Sequence, residues 1–495
     1  MTSLDLKTLQ GSDFSHPVAP DAAKIPLVVD LDGTLSKSDT LHEALLALVA
    51  KNPMRVFRMT GWLKAGKAAF KNKVAEEALV DVTVLPLRAA VIEHIQAARK
   101  EGREVHLVSA SHQKQVDAVA EYVGLFDSAK GSEPERNLAG SEKAAYLVER
   151  FGERGFDYIG DSGADLDVWP QARRAITAGA KQSFKDKVAK IDADALHLDP
   201  AAEGTDKIKA FAKAMRPHQW LKNMLVFVPA LAAHDLSALV PSFFAFVAFC
   251  LAASSIYLIN DMLDLEVDRR HPRKRNRPFA AGLIPVKDGA IQAAVLFGAA
   301  MVIALLVAPL FLAVLAGYVF VTFAYSLVLK RKLMIDVWTL GALYTIRIIG
   351  GAAATAVPLS EWLLAFSMFL FLSLAGVKRM SELADLKERG LEETDGRGYR
   401  VADMPVVLGV VLAAGYCSVL VLALYISSAA STGLYGEPRL LWLVAPLLLY
   451  WISRATMISF RGEMDDDPIV FALKDTVSRI VFVISGILIV LSAWL

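Results

Sequence analysis

Residues 260–282 read NDMLDLEVDRRHPRKRNRPFAAG and begin where an apolar run long enough to span a bilayer ends. On a helix, Asp261, Asp264 and Asp268 fall at i, i+3 and i+7 and share one face, with Asn260 beside them as a neutral oxygen ligand. Three carboxylates repel one another unless a cation lies between them. Mg²⁺ binds through a few carboxylates and leaves its other positions to phosphate oxygens. The segment therefore predicts a site for Mg²⁺ and a diphosphate.

Six basic residues follow these carboxylates: Arg269, Arg270, Arg273, Lys274, Arg275 and Arg277. A guanidinium binds phosphate as a planar fork and an ammonium binds it as a point charge, so both suit the same ligand. A basic cluster after a hydrophobic span also commonly marks the cytoplasmic side of a membrane protein. That alternative does not explain aspartates at helical spacing, because charges near a bilayer are costly. We therefore interpret the segment as a metal and phosphate site.

The pattern NDxxDxxxD followed by HPxKRxRPxAAG resembles the first aspartate-rich motif of the UbiA superfamily of intramembrane prenyltransferases. The resemblance covers the chain from Met215 onward. It implies an all-α bundle of membrane-spanning helices in which this motif holds Mg²⁺ and a diphosphate.

The composition predicts a membrane portion beside a soluble one, since 55% of the 495 residues are hydrophobic and the mean hydropathy is +0.41. The net charge of +1 gives no sign of a nucleic-acid partner. Cys250 and Cys417 lie in apolar runs and are expected to be buried thiols rather than a disulfide. Residues 1–24 are polar and lack a basic start leading into an apolar core, so we expect no secretory signal and a cytoplasmic first domain.

Three short apolar runs in the first 200 residues read as buried strands, at residues 25–29, 104–108 and 156–159. Helical stretches at 87–100 and 142–150 alternate with them, which predicts an α/β domain with a parallel sheet. The connection after the first strand is far longer than a strand-to-helix loop needs, and its residues 41–79 are predicted to form a small helical cap.

Polar residues follow these strands at the sheet edge where ligands gather. Asp30 can attack phosphorus as a nucleophile, and Asp32 can protonate the leaving oxygen. Asp161 and Asp165 can hold Mg²⁺ with Asp30. Two further residues complete the phosphate site: Lys143 neutralises phosphate charge and Ser109 donates its hydroxyl. The order DxDGTL, Ser, Lys and GDxxxD resembles the haloacid dehalogenase superfamily, which implies a phosphatase.

Apolar stretches of about 20 residues recur through the rest of the chain and predict about nine membrane-spanning helices. They lie near residues 221–234, 239–260, 289–308, 310–329, 335–356, 361–380, 404–427, 440–458 and 468–493. Alternate loops are rich in Lys and Arg, so we expect these loops and the first domain to face the cytoplasm at a plasma membrane. The predicted organisation is an α/β domain (1–200), an interfacial helical linker (201–220) and a transmembrane domain (221–495).

Basic residues at other helix ends are further candidates. In RPHQWLKN, residues 216–223, Arg216 and Lys222 either anchor the chain at the interface or hold a lipid phosphate. A second polar cluster lies at 377–385, where the chain reads KRxxELxxL from Lys378 onward and most superfamily members carry a second DxxxD motif. This departure argues against transfer of a prenyl group to an aromatic acceptor.

The three patterns together look like the decaprenyl-phosphate phosphoribosyltransferase branch of the superfamily. That resemblance implies that Asn260, Asp261, Asp264 and Asp268 hold Mg²⁺ and the diphosphate of 5-phosphoribosyl 1-diphosphate. It also implies further substrate contacts, with Lys330 and Arg347 as weaker candidates beside a set at the two motifs: Lys274, Arg277, Lys378, Arg379 and Glu382.

We expect phosphoribose to be transferred to a polyprenyl phosphate, and the phosphatase-like domain to remove the 5-phosphate from the product. Expected partners are the lipid membrane and the two substrates, and the sequence leaves a homo-oligomer open. Three alternatives remain: prenylation of an aromatic ring, a membrane-anchored binding or transport protein, and a phosphatase that uses the membrane part only as an anchor.

Overall fold

The computed structural model describes most of the chain, namely residues 25–52, 54–64, 67–133, 136–199, 204–393, 397–464 and 468–495. It divides into two compact units. The first unit contains residues 1–216 and 257–293, and the second contains 217–256 and 294–495. The expected absence of a secretory signal concerns residues 1–24, which lie outside the described residues.

A parallel sheet of six strands forms the centre of the first unit, in the order β3-β2-β1-β4-β5-β6. The strands are β1 Leu27–Val29, β2 Val105–His112, β3 Ser128–Ser132, β4 Asp157–Gly160, β5 Arg174–Ala178 and β6 Leu196–Asp199. The strand order reverses between β1 and β4, and the carboxyl ends of strands on either side of such a reversal leave a crevice for ligands.

The predicted α/β class is confirmed, and the three predicted strands correspond to β1, β2 and β4. Strands β3, β5 and β6 were not predicted. Residues 128–132 read SAKGS, which has neither an apolar run nor strict alternation, so its place in the sheet depends on its pairing with β2. Helices separate the strands: α4 Ala89–Lys100, α5 Gln113–Val123, α6 Ser141–Phe151 and α7 Gln182–Val188.

A helical insertion follows β1 and contains the predicted cap helices, α1 Thr40–Lys51, α2 Arg55–Lys64 and α3 Lys67–Glu77. Helix α1 begins at Asp39, whose side chain accepts a hydrogen bond from the backbone amide of His42. Its apolar face packs on α3, where Leu48 lies fully buried against Val74. Burial of one such leucine contributes about 2 kcal/mol, so Leu48→Ala would loosen the cap.

The first unit also contains a segment from the second half of the chain. Residues 257–293 comprise the end of α10 (Leu239–Leu263), α11 (Leu265–Arg270), a turn of 3₁₀ helix at Lys274–Asn276 and the start of α12 (Val286–Val307). Helix α8, Gly204–Ala214, is also in this unit and corresponds to the predicted interfacial helix.

The second unit is helical. Besides most of α10 and α12, its helices are α9 Val228–Ala232, α13 Pro309–Leu327, α14 Ile335–Thr355, α15 Glu361–Glu388, α16 Met404–Ile426, α17 Ala429–Thr432, α18 Val444–Phe460, α19 Pro468–Lys474 and α20 Thr476–Trp494. Across the described part of the chain, eight helices are long and apolar enough to cross a membrane. The chain is therefore a multi-pass membrane protein.

Eight of the about nine predicted helices correspond to these long helices, and the first, near residues 221–234, is not a long α-helix. Residues Pro217–Phe227 form a 3₁₀ helix, and α9 adds only five residues to it. This element nevertheless runs antiparallel to α10, since Trp220 donates to Ser254 while Asn223 donates to Cys250. A 3₁₀ helix rises about 2 Å per residue, so the two pieces together extend about 30 Å, close to the thickness of a bilayer core.

Candidate functional site

Four side chains of the first unit meet at the reversal point of the sheet. Asp30 directly follows β1 and Asp161 directly follows β4, which is the strand paired with β1. Lys143 lies in the first turn of α6, and its Nζ is 3.0 Å from Asp30 Oδ1. Ser109 is buried within β2, because that strand extends to His112 and not only to residue 108. Neighbouring parallel strands thus bring together residues that are up to 131 positions apart in the chain.

Asp30, Asp161 and Asp165 form the one group of three metal-binding side chains found among the described residues, with ligand oxygens within 4.8 Å of one another. Burial, followed by the charges of Asp165 and Asp30, raises the pKa of Asp161 well above its usual value. Buried carboxylates that repel in this way are stabilised by a hard cation. The donor set consists of oxygen atoms alone and fits Mg²⁺.

Hydrogen bonds hold Asp165 in place. Its Oδ1 accepts from the Tyr158 hydroxyl at 2.6 Å, and its Oδ2 accepts from the backbone amides of Asp161 and Ser162 at 3.1 and 3.0 Å. Lys143 Nζ, which donates to the Tyr158 hydroxyl at 2.9 Å, lies 3.6 Å from the same carboxylate. Asp165 therefore orients the loop that carries Asp161 as well as adding a carboxylate.

The buried Lys143 remains a cation in this environment. Burial lowers the pKa of Lys143, but the charges of Asp30 and Asp165 outweigh that effect, so the net shift is upward. Burial has the opposite effect on Asp30. It raises the pKa of this carboxyl group, and the charge of Lys143 reduces the rise. A fixed ammonium beside Asp30, the predicted nucleophile, suits a phosphoryl group.

The Asp32 side chain makes different contacts from the Asp30 side chain. Its Oδ1 accepts from the backbone amide of Thr40 at 2.7 Å, and its Oδ2 accepts from the Ser111 hydroxyl, which is 2.8 Å from the Thr40 hydroxyl. Burial, with a smaller contribution from Asp39, raises the pKa of Asp32 to about 6. A raised pKa suits a general acid. Ser111 and Thr40 were not predicted, because neither belongs to the motifs that the sequence displays.

The DxDGTL motif requires a glycine at position 33 because the Asp161 side chain lies very close to its backbone. Gly33 has φ +78°, and a Cβ added to it would lie 2.2 Å from Asp161 Oδ2. A side chain here would displace the Asp161 carboxylate in addition to straining the backbone. This glycine therefore allows the loops after β1 and β4 to meet.

The aspartate-rich segment departs from the predicted single helix. Helix α10 ends at Leu263, and Asp264, with φ −93° and ψ 11°, precedes a new helix, α11. Asp261 and Asp268 lie on the two sides of this break, yet Arg277 Nη1 contacts both, at 3.2 and 2.6 Å. Their carboxylates therefore converge even though the helical spacing is interrupted.

Asp261 also pairs with Arg216, whose Nη2 lies 2.5 Å from Asp261 Oδ1. The buried carboxylates of Asp261 and Asp268 are thus clustered with two partly exposed guanidinium groups, those of Arg216 and Arg277. Such a cluster is suited to binding a metal together with an anion. Asn260 and Asp264 lie on the same turn of chain. The structure brings the carboxylates of Asp261 and Asp268 together through Arg277, and the assignment of Mg²⁺ to all four residues stays a prediction.

The basic residues after the aspartates have different surroundings. Arg269 is buried and binds both oxygens of Glu43 in α1, at 2.7 and 2.6 Å. Arg270 pairs with Asp81 and Glu266 near the surface. Lys274 is exposed. Arg269 and Arg270 therefore bind protein carboxylates within the first unit, a role that the sequence did not predict.

In the second unit, the KRxxEL residues lie at the end of α15. Arg379 is fully buried between Asp336 and Glu382, and Asp336 accepts from the Tyr399 hydroxyl at 2.6 Å. Lys378, the residue before it, is half-buried. The Arg379 guanidinium is thus held by carboxylates of its own unit. Its predicted contact with substrate phosphate stays a prediction.

Arg347 is buried in α14 among neutral groups. It donates to Asn223 Oδ1 at 2.8 Å and to the Tyr318 hydroxyl at 3.0 Å, and it also donates to the carbonyl of Leu343. Lys222 Nζ lies 5.8 Å from the ring centre of Tyr344. Lys330 is part of the 3₁₀ turn Leu329–Arg331. The structure therefore brings Arg347 together with Asn223, a residue that is 124 positions away in the sequence.

Comparisons with known proteins agree with this architecture. The sequence model of the UbiA prenyltransferase family matches residues 224–475. An uncharacterized protein, y4nM, of Sinorhizobium fredii is 39% identical over 92% of this chain and 88% of its own length. The decaprenyl-phosphate phosphoribosyltransferase of Mycolicibacterium smegmatis is 40% identical over 40% of this chain and 65% of its own length.

Among solved structures, a UbiA homolog from Archaeoglobus fulgidus bound to GPP and Mg²⁺ is similar to 57% of this chain and 98% of that one, with 16% identity and a TM-score of 0.42.

Proposed function

Because this chain belongs to the UbiA prenyltransferase family, and is thus a prenyltransferase-type enzyme, we propose that it transfers phosphoribose from 5-phosphoribosyl 1-diphosphate to a polyprenyl phosphate. We further propose that its α/β domain, as a phosphatase of the haloacid dehalogenase type, removes the 5-phosphate from the product. The final product is then a polyprenyl phosphoryl ribose. The name of the Mycolicibacterium relative supports the choice of donor and acceptor.

One observation supports the transferase step above all. Asp261 and Asp268 converge on Arg277, and Arg216 joins them, so carboxylates for a metal and cations for a phosphate occupy one site. Asn260, Asp261, Asp264 and Asp268 would hold Mg²⁺, which when bound neutralises part of the charge of the leaving diphosphate.

The transfer forms a bond from a lipid phosphate oxygen to C1 of the ribose and breaks the bond from C1 to the diphosphate. The lipid phosphate is an anion at neutral pH, so the protein must position it rather than deprotonate it. Arg216 and Arg277 stabilise the negative charge that develops on the departing diphosphate. Lys222, Lys274, Lys330, Arg347, Lys378, Arg379 and Glu382 are further candidates for binding the two substrates.

The phosphatase step uses the residues at the reversal point of the sheet. A carboxylate oxygen of Asp30 attacks phosphorus, and the bond from phosphorus to the ribose 5-oxygen breaks. Asp32 gives its proton to that oxygen. Water then hydrolyses the aspartyl phosphate and releases inorganic phosphate, while Lys143 and Ser109 bind the phosphoryl oxygens. Asp30, Asp161 and Asp165 fit a Mg²⁺ that balances the phosphoryl charge.

The basic loops support a cytoplasmic orientation for both sites, where a soluble sugar donor is available. A lipid product made at the aspartate-rich segment would then present its 5-phosphate on the same side as Asp30.

The test uses the purified full-length protein in nanodiscs with labelled 5-phosphoribosyl 1-diphosphate and a polyprenyl phosphate. The wild-type protein should yield polyprenyl phosphoryl ribose and inorganic phosphate. Asp30→Asn should accumulate the phosphorylated lipid, whereas Asp261→Asn should form no lipid product yet still dephosphorylate added phosphorylated lipid.

A product pattern unchanged by Asp30→Asn would contradict the proposed role of the α/β domain. The same nanodiscs supplied with prenyl diphosphates and an aromatic acceptor test the alternative chemistry of the family. Consumption of a prenyl diphosphate, with no use of the phosphoribosyl donor, would replace the proposed transfer by prenylation.

A further inference from the structure

A cavity of about 840 Å³ opens above Asp30 and Asp32. All of its lining residues belong to the first unit, and they come from two distant parts of the chain. One part is the α/β fold with its cap helices and Lys207 of the following helix, α8. The other is residues 282–288, which follow the aspartate-rich segment. This volume is in the range that holds a whole small-molecule ligand, and is much larger than one phosphoryl group requires.

The segment 282–288 contacts the α/β fold at its first residue. Gly282 has φ +69°, and a Cβ added to it would lie 3.0 Å from Lys37 Cβ and 3.4 Å from the ring of Pro86. Upstream of it, Arg269 is joined to Glu43 of α1 by two short charge-assisted hydrogen bonds. Residues 282–288 therefore form part of the cavity wall.

The cavity has opposite charges at its floor and its walls. Its floor carries the carboxylates of Asp30, Asp32 and Asp161. Besides Lys143, five lysines line the cavity. Lys71 donates to the carbonyl of Ala110 at 3.1 Å. The other four are Lys37, Lys181, Lys207 and Lys287. Among the described residues no carboxylate lies within ion-pair distance of any of these four. The other acidic residues in the lining are Asp288 and Asp39, and Asp39 is already paired with His42 at 3.2 Å.

His42 lines the same cavity as Asp32 and Lys287. The hydrogen bond that the His42 ring donates to the Asp39 carboxylate raises the pKa of His42, and the charges of Asp32 and Lys287 shift this pKa in opposite directions. Both charges are thus close enough to His42 to affect it. Lys287 consequently faces the same space as the general acid.

We propose that Lys287, with Lys37 beside the Gly282 turn, forms a second anion subsite that recognises a phosphodiester on C1 of a ribose 5-phosphate. This inference rests on the proposed phosphatase activity and specifies its substrate as a sugar phosphate that carries a second anionic ester. The segment that follows the metal-binding aspartates thereby determines the specificity of the phosphatase site.

The experiment measures phosphate release by the full-length protein in nanodiscs without a lipid acceptor. Three substrates separate the possible sources of the second anion: ribose 5-phosphate, 5-phosphoribosyl 1-diphosphate and a short-chain polyprenyl phosphoryl 5-phosphoribose. The wild-type protein should prefer the lipid-linked substrate to ribose 5-phosphate in kcat/KM. Lys287→Gln should reduce that preference about fivefold, mainly through KM, since one partly screened charge contact is lost.

Two further variants separate substrate binding from a general effect on folding. Lys287→Arg should retain the preference, because it keeps the positive charge. Lys213→Gln removes an exposed lysine of α8 that does not line the cavity and should leave the preference unchanged. Raising the salt concentration should weaken the preference in the wild-type protein and weaken it less in Lys287→Gln, in which only Lys37 remains of the subsite.

An equal loss for lipid-linked substrate and ribose 5-phosphate in Lys287→Gln would overturn the subsite. A loss confined to 5-phosphoribosyl 1-diphosphate would overturn the lipid as its ligand. Absence of any phosphate release by the wild-type protein would instead refute the proposed phosphatase function, whereas release without a preference would refute only the subsite.

Discussion

The buried pair of Arg269 and Glu43 offers a sharp test of how the aspartate-rich segment is held on the α/β fold. Their side chains are only 6% and 5% exposed, and two hydrogen bonds of 2.7 and 2.6 Å join them. Replacing Glu43 by Leu leaves a buried guanidinium whose remaining bond, from Nε to the carbonyl of Ala280, is to a neutral group. Removing one partner of such a pair costs about 3–5 kcal/mol.

Arg269→Met should destabilise the segment by a similar amount, because it leaves the Glu43 carboxylate buried. The double variant, which carries both apolar replacements, should cost under about 2 kcal/mol since no unpaired charge remains. The two substitutions should therefore be strongly non-additive.

A matched control lies one residue along the chain. Arg270 pairs with Asp81, but its side chain is 58% exposed. A pair of that kind contributes about 1 kcal/mol or less, so Asp81→Asn should have little effect.

Hydrogen exchange measured by mass spectrometry in nanodiscs reports the free energy of local opening. In Glu43→Leu, amides of α1 and of residues 264–282 should exchange about a hundredfold faster, which corresponds to ~3 kcal/mol. They should return to near wild-type protection in the double variant. Unchanged protection in Glu43→Leu, or additive effects in the double variant, would refute the reasoning.

Two further predictions concern single positions. Gly282→Ala should destabilise the first unit by about 1–2 kcal/mol, seen as a lower thermal unfolding midpoint, because its φ of +69° and the contact with Lys37 both disfavour a Cβ. Gly61→Ala, in α2 with open space around it, should instead be neutral or stabilising by up to about 1 kcal/mol. Asp336→Asn removes a fully buried partner of Arg379 and should lower the unfolding midpoint in detergent, whereas Asp385→Asn, which breaks an exposed pair with Arg389, should not.

The sequence alone was sufficient to predict which carboxylates meet in the α/β domain. Asp30 and Asp161 each follow a short apolar strand, and parallel strands end at the same edge of a sheet, so their meeting could be inferred from local patterns. The long hydrophobic runs predicted the membrane part in the same way, because about twenty consecutive apolar residues are long enough to span the core of a bilayer as a helix. Strands β3, β5 and β6 escaped prediction since their pairing, rather than their composition, makes them strands.

Tertiary structure decided how the charged residues are used. Arg269 and Arg270 are adjacent and chemically identical, yet one is buried against Glu43 while the other lies at the surface against Asp81. Nothing in RR distinguishes them, because their partners are 226 and 189 positions away. Likewise, Asp261 and Asp268 converge through Arg277 across a break between two helices that their spacing did not predict. Local sequence determines which groups are present, whereas burial and long-range packing determine the partner of each.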